Sequence, residues 1–303
     1  MKRKIGISTF SLQTLYGHES VFETAKKIGA DCVDFNIPSD EFDCEKPGSI
    51  YSKTDDEIIE YFSGLKRKAD EAGIEIAMTH GRISTFKNIP EWDNRVIKNA
   101  RLDCLATSVL GAPVCVMHGV SNCNFPKDVD PELLRRLNYE LFVSILPFAR
   151  QYGIKIATET LGDAPNHGCC CLFGCTDEFI KTYNKICEEG GFGDCFVTCM
   201  DTGHTNKAMR FDNNPSPADA IRRIGKSISV LHLHDNNGLT DQHKIPLTGS
   251  IDWKDVFDAL DEIGYNGVYN MEISLNCFGK GIETETAEYA VKVMRNFLNS
   301  RYE

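Results

Sequence analysis

A (β/α)8 TIM barrel built as one α/β domain is the fold this sequence predicts, on three observations. Apolar, strand-like runs alternate with amphipathic helical runs along the chain, eight times over. The 303 residues shared among eight such units give about 38 residues each, the size of a barrel unit with modest loops. The third to eighth strands, moreover, all end on a histidine or a carboxylate: His80, His118, Glu159, Asp201, His234 and Glu272. An open doubly wound sheet would carry a glycine-rich GxGxxG turn after its first strand, whereas here that strand runs into Ser8-Thr9-Phe10. No linker or low-complexity tract interrupts residues 1–303, so a single domain is expected.

The elements follow in order. Lys4 to Ser8 is the first strand, entered directly from Met1-Lys2-Arg3 rather than through the apolar stretch of a signal peptide. Glu19 to Gly29 is a helix, with Val21, Phe22, Ala25 and Ile28 at helical spacing. Cys32 to Phe35 is the second strand and a polar loop spans Pro38 to Lys53. Thr54, with Glu57 three residues on, reads as the N-cap of a long helix that stops at Gly73. Ile74 to Thr79 leads to His80, Trp92 to Leu110 is helical, and Pro113 to Met117 leads to His118. Pro131 in the first turn and Gly153 at the end bound the fourth helix. Ile154 to Thr158 leads to Glu159, and a long loop carrying Cys169-Cys170-Cys171 and Cys175 precedes a helix from Thr176 to about Glu189. Cys195 to Met200 leads to Asp201, followed by a helix from Pro215 to Gly225. Ile228 to Leu233 leads to His234, followed by a helix from Trp253 to Gly264. Val268 to Met271 leads to Glu272, and an amphipathic helix from Glu283 to Leu298 closes the chain.

Composition narrows the partners. A net charge of -11 argues against a surface made for phosphate backbones, so nucleic acid is not expected. No apolar run approaches the roughly 20 residues of a membrane helix, so no membrane partner and a cytoplasmic location are expected. The 13 cysteines are scattered, and the Cys169–Cys171 cluster lacks paired CxxC spacing, so free thiols are expected. A homo-oligomer is left open.

In a barrel all strand C-termini open on one face, so the six terminal side chains should converge on one mouth. Glu159, Asp201, His234 and Glu272 come from consecutive strands and must lie side by side. Three carboxylates brought that close repel unless a cation offsets their charge. Carboxylate oxygens with one imidazole nitrogen suit Mn²⁺, Mg²⁺, Co²⁺ or Zn²⁺. One divalent ion is therefore expected. Of the two histidines in Leu231-His232-Leu233-His234-Asp235, His234 is read as the ligand and His232, between apolar residues, as structural.

Thr158-Glu159-Thr160, Asp201-Thr202-Gly203-His204, His232-Leu233-His234-Asp235-Asn236 and Asn270-Met271-Glu272 resemble the motifs of the xylose-isomerase-like barrel superfamily. That superfamily includes sugar isomerases, 3-epimerases of the D-tagatose 3-epimerase type, inosose dehydratases and the endonuclease IV apurinic-site nucleases. The resemblance implies one divalent metal, Mn²⁺ first among the candidates, on Glu159, Asp201, His234 and Glu272, with Glu159 and Glu272 also serving as the acid/base pair. It implies a small-molecule ketose or related keto-sugar, contacted by His204 and epimerised or isomerised through a metal-bound cis-enediolate; His80, His118, Asp241 and His243 are expected to join His204 in binding it, with a second metal as the alternative for Asp241 and His243. Two further readings stand beside it. One is a metal-dependent lyase of the same superfamily, an inosose-type dehydratase or a deglycosidase acting on 3-oxo-glycosides. The other is a trinuclear zinc nuclease, for which nine ligands have matches: His80, His118, Glu159, Asp201, His204, His234, Asp241, His243 and Glu272. Against the nuclease, Gly119-Val120 replaces its proline-glycine turn and Thr160-Leu161-Gly162-Asp163 replaces its Asn-Thr-Ala-Gly run. Phe10 and Phe35 are read either as covers for the apolar face of a sugar or as core, Trp253 as packing, and Lys244 as a loop lysine or a substrate contact.

Overall fold

The computed structural model describes residues 3–211 and 214–302; Met1 and Lys2, at the start of the expected direct entry into the first strand, lie outside them. Eight parallel strands, β1 (Ile5–Ser8), β2 (Cys32–Asn36), β3 (Glu75–His80), β4 (Val114–Met117), β5 (Lys155–Glu159), β6 (Phe196–Asp201), β7 (Ile228–His232) and β8 (Tyr269–Met271), pair in chain order, and β8 pairs back onto β1. Among the described residues the ring closes between β7 and β8 through the backbone of Leu233: its amide donates to Asn270 O at 2.8 Å and its carbonyl accepts from the Glu272 amide at 3.2 Å. The TIM barrel expected from the repeat is therefore the fold.

Period-two alternation along each strand divides the core in two. Cys32, Met78, Val114, Val116, Ala157, Cys199 and Val230 form an apolar plug inside the barrel. The intervening residues, such as Val33, Phe35, Cys115, Ile156, Met200 and Leu231, pack outward under the helices. Where the plug ends, the same inward-facing rows continue as Asp34, His80, Glu159, Asp201, His232 and Asn270, all buried. Polar residues therefore occupy the C-terminal end of the barrel by register, not by exposure.

The helices α1 (Phe10–Lys27), α2 (Asp55–Ala72), α3 (Pro90–Val109), α4 (Pro131–Tyr152), α5 (Thr176–Glu188), α6 (Thr202–Ala208), α7 (Pro217–Ile224), α8 (Trp253–Glu262) and α9 (Glu283–Tyr302) surround it. Thr54 and Glu57 form the expected capping box, and Gly73 and Gly153 close their helices in the left-handed conformation. Three local features differ from the sequence expectation. The first helix starts at Phe10, not Glu19, and turns through Gly17 (φ +76°); its first half leaves Phe10, Leu15 and Tyr16 exposed and so lacks an apolar period to read. A short helix, α6, follows β6 at once because Asp201 caps it, its Oδ1 accepting from the His204 amide at 2.6 Å. Within the cysteine loop, Asp163–Ala164 and Cys169–Cys170 pair as an antiparallel hairpin, and all 13 cysteines are free.

Just beyond β3, Arg82 is buried and ties the mouth together. Its guanidinium donates to Asp103 Oδ1 and Oδ2 at 3.1 and 3.2 Å and to the carbonyls of Phe42 and Ser39. Tyr51 donates to the same carboxylate at 2.9 Å. Asp103→Ala strands a buried cation and should cost roughly 3–5 kcal/mol, measured by urea denaturation. A loss below about 1 kcal/mol would mean that the pair does not hold this loop.

Candidate metal centre and active site

Glu159 ends β5 fully buried and is the most contacted acid of the mouth. His118 Nε2 lies 2.9 Å and His80 Nε2 3.6 Å from its Oε2, while His232 Nδ1 lies 3.0 Å and His204 Nδ1 3.6 Å from Oε1. Glu272 follows β8 with its Oε2 3.1 Å from the same His232 Nδ1. One imidazole nitrogen thus stands between the two glutamates. Glu159, Asp201, His232 and Glu272 form a set whose donor atoms lie within 4.8 Å of one another.

The expected set had His234 in that place, and the structure brings His232 there instead. Residues 232 and 234 share strand parity, so alternation does not separate them. What separates them is that β7 ends at His232. His234, past the strand end, turns to Asp201, its Nε2 2.9 and 3.1 Å from the two carboxylate oxygens. Its ring stacks on His243, with centroids 3.8 Å apart and planes 8° from parallel. Gly203 permits this, because a Cβ there would lie 2.0 Å from the His234 ring. His234 so joins His204, Asp241 and His243 in a neighbouring group, and His80, His118 and Glu159 form a third. In the neighbouring group, Asp241 Oδ2 lies 3.3 Å from His204 Nε2 and 3.7 Å from His243 Nε2.

The charges are arranged as the convergence requires. Burial is the largest single influence and works to raise the Glu159 and Glu272 carboxyls, but the imidazoles together outweigh it and hold both well below the usual range, His232 with His118 at Glu159 and His232 with His243 at Glu272. Burial works against a charged His232 ring, but Cys199, Glu272 and Glu159 raise it well above an ordinary histidine. His243 is pushed up to about 9 because the nearby Asp241 and Glu272 carboxylates together outweigh its burial. No lysine or arginine pairs with Glu159, Asp201 or Glu272 among the described residues. Glu159 Oε2, buried, makes no well-aligned hydrogen bond. Three oxygen donors and one nitrogen, balanced only by imidazoles, fit a hard or borderline divalent cation.

The cluster floors a cavity of about 490 Å³. His80, His118, Glu159, His204, Asp241, His243 and Glu272 line its base and wall, and Phe10, Ile83 and Ile273 form an apolar rim. All five residues expected to contact substrate are thus gathered there. Phe35 is core, stacked on Phe22, whereas Phe10 is 56% exposed at the mouth. Trp253 packs as expected, donating to Asp235 Oδ2 at 2.7 Å, and Lys244 pairs through its backbone with Asp235. Two acids went unremarked in the sequence. Asp34 showed itself as a charge within the apolar run Cys32-Val33-Asp34-Phe35. Asp163, which binds the buried Lys207 at 3.1 Å and also Arg210, gave no signal.

The xylose isomerase-like TIM barrel family model matches residues 22–297. The chain is 28% identical over 275 residues to an uncharacterized protein of Methanocaldococcus jannaschii, covering 89% of this chain and 83% of that protein. It is 24% identical over 241 residues to a D-psicose 3-epimerase of Ruminiclostridium cellulolyticum, covering 78% and 73%. The crystal structure of a D-tagatose 3-epimerase-like protein superposes with a TM-score of 0.71 at 22% identity, over 98% of this chain and 97% of the other.

The close approach at Gly203 makes a direct test of the His234 position. Gly203→Ala should displace the His234 ring and cost roughly 1–3 kcal/mol of stability, read by thermal or chemical denaturation. An unchanged midpoint would show that the ring moves aside freely.

Proposed function

The chain belongs to the xylose isomerase-like TIM barrel family, and from that membership and the site we propose that it is a divalent-metal-dependent sugar isomerase or epimerase acting beside the carbonyl of a ketose or related keto-sugar. The observation that carries this reading is the pair Glu159 and Glu272, converging on one His232 nitrogen at 3.0 and 3.1 Å beneath a cavity. Residues Glu159, Asp201, His232 and Glu272 would hold the cation, and His232 takes the place expected of His234. The bound ion would supply Lewis acidity, polarising the carbonyl and acidifying the adjacent C–H.

The remaining chemistry is assigned to side chains. One of the two glutamates, both kept ionised by their imidazole neighbours, removes the proton from the carbon next to the carbonyl. For isomerisation the glutamate that took the proton returns it to the neighbouring carbon; for epimerisation the other glutamate first takes a proton from an adjacent imidazole, as Glu159 can from His118 at 2.9 Å, and delivers it to the opposite face of the enediolate. His118 and His80 steady Glu159 through Oε2. His204, Asp241 and His243 present donors and acceptors to hydroxyl groups, and the Phe10 and Ile83 rim limits water. Among the described residues no lysine or arginine lines the cavity, which favours an uncharged sugar over a phosphorylated one.

In D₂O with a panel of ketoses, 3-oxo-glycosides and inososes, the metal-loaded protein should place deuterium next to the carbonyl without elimination, followed by NMR. Release of an aglycone or of water would replace this reading with the lyase of the same superfamily. Glu272→Gln should abolish the exchange, and full exchange in that variant would remove Glu272 from the acid/base pair.

A trinuclear phosphodiesterase draws support from one observation, the adjoining and partly overlapping donor groups that run from His80, His118 and Glu159 through His232 and Glu272 to His204, His234, Asp241 and His243. The net charge of -11 and the absence of lysine and arginine from the cavity lining among the described residues oppose it. Metal analysis of the purified protein should give close to one ion per chain. Three zinc ions per chain would overturn the isomerase reading.

A further inference from the structure

Below the carboxylates lies a second polar layer that the reaction above does not use. Asp34 is fully buried within the barrel on β2. Its Oδ2 accepts from Asn270 Nδ2 at 3.3 Å and lies 3.3 Å from His232 Nε2 without hydrogen-bond alignment, so that both the Asp34 Oδ1 and the His232 Nε2 are buried with no hydrogen-bond partner. No lysine or arginine pairs with it among the described residues. A buried carboxylate facing only an imidazole and an amide is expensive to keep for packing alone.

Two backbone features make room for this arrangement. The β2–β3 register breaks beside Asp34, with Val33 opposite Ile76 but Asp34 opposite Met78. Such irregularities near a site re-aim a side chain. On β1, a Cβ at Gly6 would lie 2.8 Å from Asn270 Oδ1, so glycine leaves space for the amide that holds the other side of Asp34. The chain of contacts therefore runs from Asn270 to Asp34 to His232, and from His232 Nδ1 to Glu159 and Glu272.

We propose that Asp34 is a positioning residue for the metal centre: it stands 3.3 Å from His232 Nε2, the nearest acceptor for the Nε2–H once the ring binds a cation, and so favours the tautomer whose Nδ1 lone pair points to where Glu159, Asp201 and Glu272 converge. A ligating imidazole needs that second partner, because the proton on one ring nitrogen decides whether the other is free to bind. The inference rests on the assignment of His232 as a ligand in the proposed function, but not on the reaction that follows.

Asp34→Asn is the direct variant, since an amide can donate to Nε2 and favour the tautomer that leaves Nδ1 protonated. Calorimetric titration of the metal-free protein with Mn²⁺ and with Zn²⁺ should show binding weakened about 10–100-fold. Circular dichroism and the melting transition of the metal-free variant should stay close to those of the parent. To separate positioning from general damage to the barrel, the same substitution is made in a His232→Ala background, where it should weaken binding no further. Co²⁺ loading gives an independent signature, a changed visible absorption spectrum in Asp34→Asn. Affinity within twofold of the parent, or an equal loss with and without His232, would overturn the role of Asp34. If the parent binds one ion tightly and Asp34→Asn weakens it, but no sugar in the panel exchanges deuterium, the proposed reaction fails and the positioning role stands.

Discussion

The crowding of Glu159, Asp201 and Glu272 around one imidazole is the constraint that the rest of the mouth answers. Carboxylates buried this close together are unfavourable without positive charge, and among the described residues no lysine or arginine pairs with these three. The barrel supplies histidines instead: His80 and His118 on one side of Glu159, His204 on the other and His232 at the centre. An imidazole can carry the charge when protonated and give up the proton when a cation takes over that task. Lysine in the same place would neutralise the site permanently. The choice of histidine therefore keeps the cluster folded and still able to exchange its counter-charge.

The scaffold makes this tolerable by register. Apolar residues fill the lower barrel, and inward rows turn polar only in the last residues of each strand. Asp201 shows how local structure and site are joined, since the carboxylate that faces His234 also caps α6 and so fixes His204 two residues into that helix. His204 in turn reaches both Glu159 and Asp241. Placing the site on strand ends and a helix cap, not on free loops, limits how far its donors can drift.

Most of the architecture was legible because it is periodic. Eight strands, their order, the capping box at Thr54 and the stops at Gly73 and Gly153 all follow from patterns of two or 3.6 residues and from the chemistry of caps. The gathering of His80, His118, Glu159, Asp201 and Glu272 follows from barrel topology. What was not legible depends on where one strand stops. His232 and His234 share a face, and only the end of β7 decides which of them meets the glutamates. Asp34 was visible as a charge in an apolar strand, but its partner lies on β7, nearly two hundred residues away in sequence, beyond the reach of any local pattern. The first turns of α1 escaped because their side chains stay exposed, and α6 because its cap is itself a site residue.

The closure between β7 and β8 has a consequence for how the site comes into being. β3 to β6, which carry His80, Glu159 and Asp201, are held by continuous ladders. His232 and Glu272 stand on opposite sides of a seam joined by the two hydrogen bonds of Leu233. A chain whose seam has parted would keep most of its sheet and still have Glu272 separated from the other three donors. Any cation bridging His232 and Glu272 would act as a clasp across that seam, binding the closed ring and not the parted one, and would tie the last step of barrel assembly to occupancy of the site.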